Sequence, residues 1–261
     1  MALEGNVEIV EKLHIHVSCF ESTISCSIKS LNLQKLELPN GNDDKEFILS
    51  CPVLEVLILH DCDYRHLRSF TISCSSLKRL DMNSLQSLSG NTVSCSLNIC
   101  SPNLTSFAYK SWKFKDIAIC NLSALISAHV HVQRDSHARH DDVQYLNEIL
   151  KGISNVKSLS ISSEVLKWFW ESTKYEEHMG KDLPVVLSKF CYLKTVKVQN
   201  SFGTEDELKF FKFILERATM LKEMSIVTRK MDKKRMTKFK LKLFALKRIS
   251  PGVLIHCRVG A

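Results

Sequence analysis

Glycine is scarce in this chain, 8 of 261 residues, and proline is scarcer at 5. So few glycines leave no Gly-rich phosphate cradle, and neither G-x-x-x-x-G-K-[ST], G-x-S-x-G nor H-E-x-x-H occurs. With none of those devices present, the chain is expected not to be an enzyme. No apolar run approaches the roughly 18 residues of a membrane span, and Met1 to Val10 lacks the charged flank and apolar stretch of a secretory signal. The expected location is the cytosol or the nucleus, with no membrane partner. No C-x-x-C is present among 10 cysteines spread from Cys19 to Cys257. Buried thiols packing as small hydrophobes are expected from that spread, rather than a metal centre or a disulfide framework.

What the chain does have is a recurring phrase: an apolar residue, two variable residues, an apolar residue, one variable residue, an apolar residue. It reads Val10-Leu13-Ile15, Leu33-Leu36-Leu38, Leu54-Leu57-Leu59, Leu77-Leu80-Met82, Leu104-Phe107-Tyr109, Leu125-Ala128-Val130, Val156-Leu159-Ile161, Leu193-Val196-Val198 and Leu221-Met224-Ile226. The steps between phrases are 23, 21, 23, 27, 21, 31, 37 and 28 residues. The shorter steps fall in the leucine-rich-repeat range and the longer ones carry inserts.

One such unit cannot fold alone. Three inward side chains contribute about 1.5–3 kcal/mol each on full burial, whereas ordering twenty-odd residues costs about 1–2 kcal/mol apiece in backbone entropy. Stacked units share their apolar faces and pair their short strands in parallel. The expected fold is therefore α/β: a leucine-rich-repeat solenoid with a parallel inner sheet, an irregular to helical outer face and a helix-strand C-terminal cap. Residues 1–200 are assigned to the repeats and 201–261 to the cap.

The first half, to about His131, is rich in Ser, Cys and Asn between phrases, and loops and short turns are expected on its outer side. The second half contains amphipathic stretches: Val143, Leu146, Leu150 and Ile153; Val165 to Trp170; and Leu208, Phe211 and Leu215. Thr204 with Glu207 three residues on predicts a capping box at the start of the last of these. Met236, Phe239, Leu243 and Leu246 predict a further helix, and Val253 to Val259 alternates as a final strand.

In each strand the residues between the inward positions point outward onto the concave face. The candidate partner-binding residues are His14, His16, Lys35, Val56, Ile58, His60, Arg79, Asp81, Lys110, His129, His131 and Lys197. Such a broad face suits a target protein better than a small molecule. His14 with His16 and His129 with His131 have the two-residue spacing of strand metal ligands, but apart from the loop run His137, His140, Asp141 and Asp142 no third ligand or orienting carboxylate accompanies them, so exposed histidines are expected and no metal or cofactor.

Charge is concentrated near the end. From Arg229 to Arg248 there are ten basic residues against the single acid Asp232. Arg229, Lys230, Lys233, Lys234, Arg235 and Lys238 form a candidate basic patch, but interleaved aromatics for base stacking are missing, and nucleic acid is not the expected partner.

Two phrases carry a resemblance. Cys51 to Cys62 (CPVLEVLILHDC) and Ser101 to Trp112 (SPNLTSFAYKSW) resemble repeats of the plant F-box proteins that bear leucine-rich repeats. Glu207 to Val227 and Lys242 to Val259, the latter with Arg248, Ser250 and Pro251, are similar to the C-terminal FBD module of that family. The resemblance implies a substrate receptor of a cullin-based ubiquitin ligase, in which an F-box holds a Skp-type adaptor and the repeats hold the target. With the first phrase beginning near Val10, no room for an F-box is expected, so a Skp-type adaptor is expected only if an F-box is supplied outside this chain. A stand-alone scaffold or decoy without ligase recruitment, and a binder of nucleic acid or an anionic surface through the basic segment, are the other readings.

Overall fold

The computed structural model describes residues 22–24, 28–35, 46–64, 67–84, 92–120, 122–133, 145, 148–167, 190 and 192–260. The chain divides into two compact units: Met1–Leu125 with Val132–His137, and Ile126–His131 with Ala138–Ala261.

One hydrogen bond punctuates both units. The first apolar residue of each coil donates its N–H to the carbonyl three residues earlier: Leu54 to Cys51, Leu77 to Cys74, Leu104 to Ser101, Leu125 to Leu122, Val156 to Ile153, Leu193 to Phe190, Leu221 to Ala218 and Val253 to Ser250. That turn aims the chain into the next strand. The entering residues then hang on the previous coil, as when Lys78 N and Arg79 N both donate to the Glu55 carbonyl at 2.8 and 3.0 Å.

In the first unit β2 (Ser30–Gln34), β4 (Val56–His60), β6 (Arg79–Ser84) and the first part of β8 (Ser106–Cys120) pair in parallel. Their inward rungs are Leu31, Leu57, Leu80 and Phe107, then Leu33, Leu59, Met82 and Tyr109, all at most 4% exposed. The rung at β2 is shifted from the expected one. Ile28, Leu31 and Leu33 supply the phrase, because Leu31 registers with Leu57 and Leu33 with Leu59. Leu36 and Leu38, and the whole first phrase from Val10, lie outside the described residues.

The outer side of this unit is not loop. β1 (Ser22–Ile24), β3 (Glu46–Leu49), β5 (Ser69–Ile72), β7 (Thr92–Cys100) and the second part of β8 form a second parallel sheet. Phe47, Phe70, Leu97 and Ile117 form one of its inward rungs. β8 is long enough at 15 residues to serve both sheets, and Phe114 near its middle is fully buried against Tyr64 and Tyr109, with ring centroids at 5.3 and 6.4 Å. Burial, with the neighbouring Cys62 adding to it, pushes the Tyr64 phenol well above its ordinary pKa.

Three of the described cysteines, Cys62, Cys74 and Cys95, are buried free thiols. Cys62 and Cys74 donate to the Leu33 and Leu49 carbonyls of the preceding coil at 3.6 and 3.5 Å. Cys51 departs from the expectation: it is disulfide-bonded.

In the second unit β9 (Ser127–Gln133), β10 (Ser158–Ser162), β11 (Thr195–Ser201), β12 (Glu223–Thr228) and β13 (Leu254–Val259) pair in parallel and in order. Ala128, Leu159, Val196 and Met224, then Val130, Ile161, Val198 and Ile226, face the core. Helices cover the other side as the amphipathic stretches required. Ile149, Ile153, Val165 and Leu166 are buried in short helical segments and the turn between them, while Val143, Leu146 and residues 168–170 lie outside the described residues.

Helix α1 (Glu205–Arg217) follows β11, and α2 (Lys233–Phe244) follows β12. Phe211 of α1 meets Phe239 of α2 edge-on at 6.4 Å. The capping box forms, and the buried Glu207 carboxylate also accepts from Phe202 N at 3.0 Å and the Ser201 hydroxyl at 3.1 Å. Gly203 turns the chain into α1 at φ +65, where an added Cβ would sit 3.3 Å from Met231 Cε and Phe239 Cγ.

Candidate recognition surfaces

Alternation along a strand sends every second side chain away from the core. In the first unit the outward residues fall into three registered rows: Ser30, Val56, Arg79 and Ser106; Asn32, Ile58, Asp81 and Ala108; Gln34, His60, Asn83 and Lys110. Val56, Ile58 and Ala108 are half-buried, and Arg79 reaches along its own strand to Asp81 at 3.4 Å. The result is a small apolar centre with charge, amide and imidazole around it. The Asn32 side-chain oxygen, beside Ile58, is enclosed and has no hydrogen-bond partner among the described residues. Just before the strands, Lys78 Nζ donates to Glu55 at 2.7 Å, and that hydrogen bond, helped by the ammonium charge, holds the Glu55 carboxyl below its ordinary range.

The second unit presents a different face. One row is Ser127, Ser158, Thr195, Glu223 and Leu254; the next is His129, Ser160, Lys197, Ser225 and His256. Thr195 Oγ1 donates to Ser158 Oγ at 2.8 Å, while the Ser160 and Ser162 hydroxyl oxygens have no hydrogen-bond partner among the described residues. Lys197 stands exposed between Ser160 and Ser225. This face is hydroxyl-rich, with Lys197 and Glu223 its charged residues in those two rows.

Of the residues singled out by sequence, Val56, Ile58, His60, Arg79, Asp81 and Lys110 come together on the first face, and His129, His131 and Lys197 lie on strands of the second unit. His14 and His16 lie outside the described residues. Lys35 is misplaced by the slipped phrase: it follows β2 in a left-handed turn at φ 52, its N–H donating to the His60 carbonyl, so Ser30, Asn32 and Gln34 hold the outward positions instead. His256 and Arg258 went unnamed; the alternation of Val253 to Val259 already carried their signal. Among the described residues no three His, Cys, Asp or Glu side chains are grouped as a metal site.

The basic patch separates into two kinds of residue. Arg229 pairs with Glu164 at 2.6 Å and lies over the Phe202 ring at 4.3 Å, and Arg235 donates to the Phe202 carbonyl at 2.8 Å. Both are tied into the fold. Lys230, Lys233, Lys234 and Lys238 are exposed and make no ion pair with a described residue. The closing element has structural work as well: the Ser250 hydroxyl donates to the Leu221 carbonyl at 2.7 Å, and Arg248 donates to the Phe244 carbonyl at the end of α2.

Residues 192–226, from the turn into β11 through α1 to β12, match the FBD family. A putative F-box/LRR-repeat protein of Arabidopsis thaliana is 32% identical over 180 residues, covering 60% of this chain and 38% of the relative. A putative F-box protein of the same plant is 28% identical over 156 residues, covering 55% and 33%, and a probable FBD-associated F-box protein is 35% identical over 78 residues, covering 30% and 18%. The chain thus spans about a third or less of the length of most curated relatives it matches.

Proposed function

For a chain related to the plant F-box/LRR-repeat proteins with a C-terminal FBD module, we propose that the repeats act as the target-binding part of an F-box-type ubiquitin-ligase receptor. The observation that supports this best is the face of the first unit, where half-buried Val56, Ile58 and Ala108 lie within a rim of Arg79, Asp81, His60 and Lys110. An apolar centre ringed by polar groups is the arrangement of a protein-protein hot spot. The chain works by binding rather than catalysis, in the cytosol or nucleus, with a Skp-type adaptor engaged only through an F-box accompanying the repeats.

Substituting Ile58, His60 and Arg79 together tests the reading. These side chains point away from the core, so the variant is expected to fold while losing capture of the target. Retained capture moves the site off this face.

The exposed Lys230, Lys233, Lys234 and Lys238, which make no ion pair with a described residue, support a second reading, contact with an anionic partner through α2 and the turn before it. Its mark is affinity that falls steeply as salt rises. Affinity unchanged between low and high salt removes it.

A further inference from the structure

The outer sheet of the first unit ends in two cysteines. Cys100 closes β7, Cys120 closes β8, and the two are register partners on adjacent parallel strands. Neighbouring strands lie about 4.8 Å apart, inside the ~4.4–6.8 Å window of Cα separation that a disulfide requires. Both residues share the solvent side of the sheet. Ser96, Asn98 and Cys100 alternate with buried Cys95, Leu97 and Ile99, and Ser96 and Asn98 stand opposite Asp116 and Ala118 in the same column. The Ser96 hydroxyl lies 3.2 Å from an Asp116 carboxylate oxygen and donates to it, which ties the outer sides of the two strands together four residues before the cysteines.

Cys120 is exposed, Cys100 is half-buried, and both are free thiols. Their situation differs from that of the remaining free cysteines among the described residues. Cys62, Cys74 and Cys95 are buried, and Cys257 stands opposite Ile226.

We propose that Cys100 and Cys120 form a reversible dithiol switch, a modification site whose co-reactant is a low-molecular-weight disulfide such as oxidised glutathione. The exposed Cys120, as thiolate, attacks one sulfur of that disulfide; its S–S bond breaks and one glutathione thiolate leaves with the electron pair. Cys100 then gives up its proton and attacks the Cys120 sulfur of the mixed disulfide, expelling the second glutathione thiolate. Two protein thiols are oxidised to one disulfide, one oxidant is reduced to two thiols, and the two protein protons pass to those products. Burial, with Cys120 beside it, raises the Cys100 thiol pKa, which suits it to the second, intramolecular step. The ring so closed encloses one whole coil, the 101–105 turn and all of β8.

The test uses the intact chain incubated with oxidised glutathione, quenched in acid, digested without reduction and read by mass spectrometry. The expected product is a peptide pair joined between Cys100 and Cys120, about 2 Da lighter than the two free thiols and restored by dithiothreitol. In C100S the glutathione adduct on Cys120 is expected to accumulate because nothing resolves it. The proposal is overturned if the native chain holds a stable glutathione adduct at Cys120 beside a free Cys100, if either cysteine joins a different one, or if both stay unmodified. The native-chain result stands alone, so a variant that fails to fold does not obscure it.

Discussion

Thr204 and Glu207 hold each other at the entrance to α1. The Thr204 N–H donates to Glu207 Oε2 at 2.8 Å, and the Glu207 N–H donates to Thr204 Oγ1 at 3.3 Å. The same carboxylate, 2% exposed, accepts from Phe202 N and from the Ser201 hydroxyl. Glu207→Ala leaves these donors without an acceptor and is expected to destabilise the chain by about 2–4 kcal/mol, since each unsatisfied buried donor costs about 1–3 kcal/mol and relaxation recovers part. Chemical denaturation measures it. A loss below about 1 kcal/mol would mean that water replaces the carboxylate.

Gly203→Ala acts one residue earlier. The left-handed φ of +65 costs a non-glycine residue about 1–2 kcal/mol, and the new methyl also presses on Met231 and Phe239 at 3.3 Å. A lower thermal midpoint is expected, with native circular dichroism retained below it. An unchanged midpoint would show that the turn relaxes freely.

Phe114→Ala opens a cavity where β8 passes between the two sheets. Loss of a fully buried phenylalanine costs about 3–5 kcal/mol, and Tyr64 and Tyr109 lose their common neighbour. Ile58→Ala, on the outward side of β4, is expected to cost under about 1 kcal/mol. Denaturant midpoints of the two variants separate core from face, and similar losses would contradict the inward and outward assignment.

Arg229 and Lys238 should respond oppositely to truncation. Arg229→Ala removes the Glu164 pair and the cover over Phe202, both partly exposed, for a cost of about 0.5–1 kcal/mol. Lys238→Ala is expected to leave stability unchanged and to weaken only binding to an anionic partner. A double-mutant cycle with Glu164 apportions the first effect.

Glu55 should titrate low. Its carboxyl is held below the ordinary range by Lys78, so the folded chain releases that proton more readily than the unfolded one. The associated stabilisation is present above the unfolded value and fades as pH falls through the folded one. Carboxyl NMR titration is expected to give a Glu55 midpoint under that of a free glutamate, and Lys78→Met to return it. At the other end of the scale, burial raises the Cys74 thiol and pushes that of Cys95 up to about 12, so alkylation of both at pH 8 should wait for unfolding.

The inner strands were legible because seven phrases, from Leu54 onward, place two apolar residues at the right spacing. The β2 register was not, since Leu31, Leu33, Leu36 and Leu38 alternate through a run that admits two phrases. The neighbour decides between them: only with Leu31 beside Leu57 does the Glu55 and Val56 entry hang on the Lys29 carbonyl. The outer sheet hid for another reason. Its strands are as short as EFIL and SFTI, and polar Thr71, Ser96 and Asn98 occupy the outward positions, so they resemble Ser- and Asn-rich loop. The two faces divide similarly. Outward positions followed from the phrase, but Arg229 and Arg235, grouped by charge with the lysines, are engaged by Glu164 and Phe202, whose proximity no local pattern announces.

The turn bond before each strand also says where this architecture tolerates change. From Cys51 to Leu59, and in the coils entered at Leu77, Leu104, Val156, Leu193 and Leu221, the bond, the entry pair and the inward residues form one short block of constant length, while the stretch between successive blocks varies freely. A graft that swaps whole blocks should therefore keep its pairing with both neighbours, and extra residues belong after a strand rather than before it. The coil becomes an exchangeable cassette, with the outward residues of its strand as the variable text.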